Sequence, residues 1–361
     1  MTTATAYAPG RAELLGNHTD YNEGFVMSIA VDKGTTVSGQ SRADDKIILS
    51  TGQFAHPFQT DLENIKPQDG ENSWVNYPLG VVDELLKRGL RLGGFEMSIS
   101  SNLPLGAGLS SSAALEVSTA LFLQKLFGFP MDRLDIAKVC QAAENNFVGV
   151  KCGLLDQISS LYGKKDHAIF IDCRSLEIDN IPLSTDTCFV IAHSNVKHSL
   201  VAGEYNERRA SCEAAAAELG VKALRDADRL LLENKLPDKD SLAYKRAMHV
   251  VGENERVIAS ISKLREGQIT PLGEAMFASH ASSIKYFENS CMELDILVDL
   301  ARKLPGCLGA RLSGGGFGGA TINLVEKKSA ASFISNLHDQ YKAATGIEPL
   351  VFECTAANGA H

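Results

Sequence analysis

The chain has 361 residues, 44% hydrophobic and 22% charged, with a formal net charge of -9. This composition excludes a disordered or fibrous chain, and with no basic run longer than pairs such as Lys327-Lys328 and Arg208-Arg209 it argues against nucleic-acid binding. The eight cysteines are scattered with no Cys-x-x-Cys pair, no stretch approaches the roughly 18 apolar residues of a membrane span, and Met1 to Gly10 has no apolar signal run. Reduced thiols and a cytoplasmic protein without a membrane partner are therefore the expectation.

The length allows two cores at about 150 residues per domain. The first distinctive segment is Ala8-Pro9-Gly10-Arg11-Ala12-Glu13-Leu14-Leu15-Gly16-Asn17-His18-Thr19-Asp20-Tyr21-Asn22. It reads as a turn-rich loop that satisfies its own backbone, or as a carbohydrate site. Asn, Asp and Glu suit the second reading because each takes several hydrogen bonds at fixed angles. Residues 47–50 read as a strand. Residues 74–88 read as a helix, with Val75, Leu79, Val82 and Leu86 at helical spacing.

Residues 95–100 alternate as a strand and lead into Leu103-Pro104-Leu105-Gly106-Ala107-Gly108-Leu109-Ser110-Ser111-Ser112-Ala113-Ala114. A helix is predicted over 112–127, with Gly128 at its end. Three serines fall where it begins and suit an N-cap. Glycines, hydroxyls and a helix N-terminus together can bind phosphate. A Gly/Ser loop that only caps a helix fits the same residues. No Lys follows Gly108, so this is not a Walker A loop. Ser111 stands where a dinucleotide fingerprint needs its third glycine.

Glu144 and the run Cys152-Gly153-Leu154-Leu155-Asp156-Gln157 come next. Asp156 opens a short apolar helix, as a cap or as a base aimed into a cleft, and Glu144 could hold a metal. Residues 168–172 read as a strand. The pattern turns polar over 179–187, with Pro182, and the domain boundary is placed there. The second half reads as helices over 204–219, 240–264 and 272–303 and strands over 189–193 and 320–325. Helices and strands do not alternate strictly, so two α+β domains are expected, over 1–184 and 185–361, rather than one parallel sheet. Between the last strands lies Arg311-Leu312-Ser313-Gly314-Gly315-Gly316-Phe317-Gly318-Gly319. A strand, not a helix, follows it, which rejects a dinucleotide site. It reads as a tight hairpin, or as a loop closing on a phosphate from the other domain.

In this order the segments resemble the sugar kinases of the GHMP superfamily, and the galactokinase family most closely. Supporting stretches are Ser194-Asn195-Val196-Lys197-His198-Ser199-Leu200, Glu204-Tyr205, His249-Val250-Val251-Gly252-Glu253 and Ser290-Cys291-Met292-Glu293-Leu294-Asp295. The resemblance implies a two-domain α+β fold with a ribosomal protein S5-like N-terminal domain and a ferredoxin-like C-terminal domain. The active site would lie in the cleft between them. It implies ATP and Mg²⁺ as cofactors, Asp156 as base and Arg11 as its partner. Asn17, His18, Asp20, Gly153 and Tyr205 would hold the sugar. Gly106, Ala107, Gly108, Leu109, Ser110, Ser111 and Ser112 would wrap the ATP phosphates, with Trp74 and Tyr77 by the adenine. Ser112 and Glu144 would hold the metal.

One departure concerns the sugar. Galactokinases usually read Arg-Val-Asn-Leu-Ile-Gly-Glu-His, whereas this chain reads Arg11-Ala12-Glu13-Leu14-Leu15-Gly16-Asn17-His18. The Asn and the Glu have changed places. In the family that Glu bonds the C6 hydroxyl, so Asn17 is expected at C6, with Lys151 close by. The resulting expectation is an ATP-dependent kinase for the anomeric hydroxyl of galactose, acting as a monomer or weak homo-oligomer. The alternatives are a kinase for galacturonate or an N-acetylhexosamine, or a catalytically silent sugar sensor.

Overall fold

The computed structural model describes residues 2–52, 56–104, 106–196 and 201–361, so Leu105 of the glycine–serine loop and Lys197 to Leu200 lie outside the described residues. Eleven strands form two sheets among them. The first contains β1 (Thr3–Leu15), β2 (Phe25–Ser41), β3 (Lys46–Thr51), β4 (Phe58–Asp61), β5 (Phe95–Ser101), β6 (His167–Asp172) and β7 (Ile178–Pro182). Its order is β4-β3-β5-β2-β6-β7, with β1 on β2. The second sheet is wholly antiparallel, in the order β11-β8-β10-β9. Its strands are β8 (Thr187–His193), β9 (Cys307–Leu312), β10 (Ala320–Glu326) and β11 (Leu350–Cys354). The first sheet ends at Pro182 and the second begins at Thr187.

The segment read as a loop or a sugar site is mostly strand. β1 pairs with β2 but slips register between Pro9 and Arg11 and between Glu13 and Leu15. Such bulges re-aim side chains, and these two flank Arg11 and Glu13. Every residue from Ala8 to Leu15 is buried, so the polar–apolar alternation of a half-exposed strand is missing.

The described residues form ten α-helices: α1 (Asn76–Lys87), α2 (Ser111–Phe127), α3 (Arg133–Ala142), α4 (Leu155–Tyr162), α5 (Val201–Leu219), α6 (Arg229–Lys235), α7 (Leu242–Arg265), α8 (Thr270–Ser282), α9 (Met292–Lys303) and α10 (Ala330–Thr345). Val117, Phe122 and Leu126 of α2 pack with Phe95 and Met97 of β5 and with α1, α3 and α4. On β8, Val190 and Ala192 face α9 and α10, while Phe189 and Ile191 join Met27, Ile29, Val257 and Met276. One strand thus serves two cores by alternation, and the second core spans both sheets.

The helix expected over 272–303 is two helices. A π-helical turn (Ser283–Phe287) ends α8, Glu288 takes a left-handed φ of 56°, and α9 starts only at Met292. Apolar periodicity runs on through such a turn, which is why sequence spacing missed it. The break turns Phe287 against the rings of His18 and His249, at 4.5 and 4.4 Å between centroids. No described helix is long and apolar enough to cross a membrane. All eight cysteines are free.

Candidate active site

Two cavities meet at Arg11. The smaller, about 130 Å³, is lined by Arg11, Glu13, Asn17, His18, Asp20, Glu144, Cys152, Gly153, Asp156 and Tyr205 among others. The larger, about 740 Å³, runs between the glycine–serine loop and the loop Ser313 to Gly319, and Arg11 lines it too. A third cavity of about 460 Å³, lined by Trp74, Tyr77, Ser111 and Ser112, adjoins the same helix start. The sequence-predicted residues therefore converge, from β1, α2, α4 and α5 and the loop before β10.

Gly10 lets the glycine–serine loop lie on β1. The Leu109 carbonyl accepts from Arg11 N at 3.0 Å, and a Cβ at Gly10 would stand 2.5 Å from that same oxygen. The Arg11 guanidinium then donates to Asp156 Oδ1 at 2.7 Å and to the Gly108 carbonyl at 2.7 Å. Burial works against its charge, but Asp156 and Glu13 outweigh that and hold its pKa above the ordinary value.

The serines do not cap α2 as expected. Ser110 has a left-handed φ of 51° and makes no cap bond; its hydroxyl donates to Asp156 Oδ2 instead. With no cap bond from Ser110, the first N–H groups and the positive dipole end of α2 lie where Ser110 to Ser112 line the larger cavity. Across the cavity, Gly314, Gly316, Gly318 and Gly319 all adopt positive φ.

The smaller cavity is rich in buried carboxyl groups. Burial raises Glu13 to about 7, with Arg311 only partly offsetting it. Burial and then the nearby Asp156 raise Asp20 to about 6 and Glu144 to about 7. His18 packs against Tyr205 at 5.1 Å between centroids, with the rings tilted by 37°. Its Nε2 donates to the Gly315 carbonyl at 3.0 Å, so Nδ1 accepts from Tyr21 Oη at 2.8 Å. Burial pushes its pKa down to about 3, which keeps the ring neutral. Four carboxyl groups against one guanidinium suit a neutral ligand with many hydroxyl donors. Lys151 does not reach this cavity; its Nζ donates to the Asn145 carbonyl on the surface.

Asn17 lines the cavity, but its amide is already engaged. Nδ2 donates to Glu13 Oε2 at 3.2 Å and to the Gly314 carbonyl at 2.8 Å, and Oδ1 accepts from Asn289 Nδ2 at 3.0 Å. Both Nδ2 protons are committed while Oδ1 keeps one lone pair, so Asn17 can meet a sugar hydroxyl only as an acceptor.

Glu144 sits in a π-helical turn at the end of α3. Its carboxylate is hydrogen-bonded by the neutral groups Cys152, Gln157 and Ser112. A buried carboxylate without a cationic partner, beside a hydroxyl, is an oxygen donor set that fits a small hard cation. Among the described residues no group of three or more His, Cys, Asp or Glu is clustered as a metal cage, so further ligands would come from substrate phosphates and water.

Sequence reasoning missed what holds this site. Glu253 of α7 is fully buried, and its Oε2 accepts from the backbone N–H groups of Gly16 and Asn17 at 2.8 and 3.0 Å. His249, one turn earlier, donates from Nε2 to the Asn17 carbonyl at 3.1 Å. Between those anchors Gly16 and His18 both take positive φ, 95° and 58°. The signal was present: two polar residues four apart on the apolar face of a helix.

The galactokinase galactose-binding signature matches residues 2–41, the GHMP kinases N terminal domain residues 76–164 and the GHMP kinases C terminal model residues 260–343. The galactokinase of Mannheimia succiniciproducens is 42% identical over 98% of this chain and 94% of its own length. The chain belongs to the galactokinases of the GHMP kinase superfamily. A galactokinase of Thermotoga neapolitana is 41% identical over 98% of each chain. Lactococcus lactis galactokinase, in a crystal structure complexed with galactose, is 32% identical and superposes with a TM-score of 0.95 over 99% of this chain and 95% of that one. A mevalonate kinase, 18% identical, superposes with a TM-score of 0.69 over 99% of this chain and shares its fold.

Proposed function

We propose that this galactokinase-family chain transfers the γ-phosphoryl group of ATP to the anomeric hydroxyl of galactose, with lobes over 1–184 and 185–361. The observation that carries the reading is the position of Asp156. It stands in the smaller cavity, tied to Arg11, which lines both cavities, and to Ser110 of the loop lining the larger one. A base there can meet a sugar hydroxyl and an incoming phosphoryl group together. Phosphoryl transfer needs little more than such positioning and charge neutralisation.

His18, Asp20, Gly153 and Tyr205 hold the sugar, with Asp20 and the His18–Tyr205 pair setting its orientation. Asp156 accepts the proton of the anomeric hydroxyl. Arg11 orients Asp156 and offsets charge between the two substrates. Gly106 to Ser112 wrap the ATP phosphates at the α2 N-terminus, and Trp74 and Tyr77 flank the adenine. Ser112 and Glu144 hold Mg²⁺, which supplies charge neutralisation on the phosphates when bound.

The carboxyl-rich lining favours neutral galactose over galacturonate. A panel of sugars assayed with ATP and Mg²⁺ tests the reading: phosphorylation of galactose at C1 is expected. Phosphorylation of another sugar in preference, or galactose binding with no transfer, would overturn it.

A further inference from the structure

Asn17 is buried and bonds the third glycine loop directly at Gly314 and indirectly through Asn289. Its side chain donates to the Gly314 carbonyl and accepts from Asn289, which in turn donates to the Gly315 carbonyl at 3.1 Å. The Asn289 carbonyl accepts from Phe317 N at 2.7 Å. Asn17 and Asn289 therefore hold this loop at three points, the Gly314 and Gly315 carbonyls and the Phe317 N–H. The amide orientations are not free: Asn17 has two acceptors on one side and a donor on the other, so only one assignment satisfies the network.

The front of that loop belongs to the other cavity. Gly316, Phe317, Gly318 and Gly319 line the phosphate-side cavity only, while Gly314 and Gly315 border both. Ser313 Oγ meets the Gly108 carbonyl at 3.4 Å, and that carbonyl is the one Arg11 grips. A loop of this kind, four glycines at positive φ, has little stiffness of its own and adopts one shape only if held.

Resting on the reading of the two cavities above, we infer that Asn17 is a positioning residue for the phosphate-side loop and not a sugar ligand. Through Gly314 and Asn289 it fixes the loop that faces ATP. The amide at position 17 then serves nucleotide binding, although it lies inside the sugar signature.

The test needs no turnover. Trp74 is the only tryptophan and lines the nucleoside-side cavity, so its fluorescence reports ATP binding. Galactose affinity is measured separately by calorimetry. For Asn17→Ala the ATP dissociation constant should rise about five- to tenfold, the loss of roughly one hydrogen bond's stabilisation. Galactose affinity should move by no more than about threefold, since the Asn17 amide lines that cavity but is committed to Glu13, Gly314 and Asn289. Asn289→Ala should give the same pattern and carries the test if Asn17→Ala does not fold. Lost galactose affinity with normal ATP affinity, equal losses of both, or no change in either would overturn the inference. If wild-type protein binds ATP but does not phosphorylate galactose, the proposed function fails while this comparison still stands.

Discussion

Replacing Glu253 by Gln should loosen the sugar side of the site. The carboxylate uses both oxygens: Oε2 takes the Gly16 and Asn17 N–H groups, and Oε1 accepts from Arg256 Nε at 2.8 Å with Nη2 in ion-pair contact at 2.6 Å. A glutamine can satisfy only one of these. With its oxygen toward the loop, its NH₂ opposes the Arg256 donors. Reversed, it leaves two buried backbone N–H groups without an acceptor, at about 1–3 kcal/mol each. Arg256 is 18% exposed and can turn to water, so the first arrangement wins and the cost falls to about 2–3 kcal/mol, below the roughly 3–5 kcal/mol of a fully buried broken pair. That should lower the melting temperature by about 3–4 °C.

The charge also fixes the pH dependence of this loss. Burial alone would raise the Glu253 pKa, but Arg256, His249 and Arg311 override it and bring it from 4.5 to about 2. A depressed carboxylate stabilises the fold above its unfolded pKa and loses that as pH falls through the folded one. The Gln penalty should therefore be full at pH 7 and shrink only between about pH 4.5 and 2. Thermal unfolding across this range, with KM for galactose and for ATP, is the assay. Galactose KM should rise, and ATP KM should rise with it, because the loosened segment carries Asn17. A variant with wild-type melting temperature and wild-type galactose KM would refute the claim that Glu253 holds the signature loop.

Asp156→Asn should cut transfer by about 10²- to 10⁴-fold, the usual worth of a general base, while Trp74 fluorescence shows normal ATP binding; activity within a few-fold of wild type removes Asp156 as base. Ser112→Ala should weaken Mg²⁺-dependent ATP binding and leave galactose binding intact; a titration with the opposite result would misplace the metal. His249 is held neutral by burial, with its pKa lowered from 6.5 to about 4. As pH falls between those values the unfolded chain takes up a proton that the folded one refuses, so stability declines. His249→Gln should flatten that slope by up to about 1.4 kcal/mol per pH unit in denaturant titrations, and an unchanged slope would count against a neutral His249.

What was legible in the sequence follows the physics of each segment. The strand–loop–helix around Ser110 could be read because β5 alternates and α2 carries a long apolar side closed by Gly128. The destination of the Ser110 hydroxyl could not, because capping and bonding to Asp156 use the same residue type. β1 was hidden by burial on both faces and by two bulges. The convergence of Arg11, Asp156 and the glycine loops was expected only through family resemblance, since 145 residues separate the first pair. The Glu253 tie spans 237 residues, a distance at which spacing carries no information.

The exchange of Asn and Glu across positions 13 and 17 also becomes intelligible. The two side chains bond each other, so swapping carboxylate and amide keeps one N–H···O bond between them. What moves is the charge. At position 13 it stands 3.8 Å from the guanidinium of Arg311, which is fully buried and finds no hydrogen-bond partner among the described residues. The single change Asn17→Glu would set two buried carboxylates side by side, at about 4 kcal/mol for 4 Å and an effective dielectric near 20. The single change Glu13→Asn would leave Arg311 without its counter-charge, at about 3–5 kcal/mol. The double exchange avoids the first penalty and relieves part of the second. In a double-mutant cycle read by denaturant unfolding, it should be at least about 2 kcal/mol more stable than the sum of the singles implies; additivity within about 0.5 kcal/mol would mean that the two positions are not coupled.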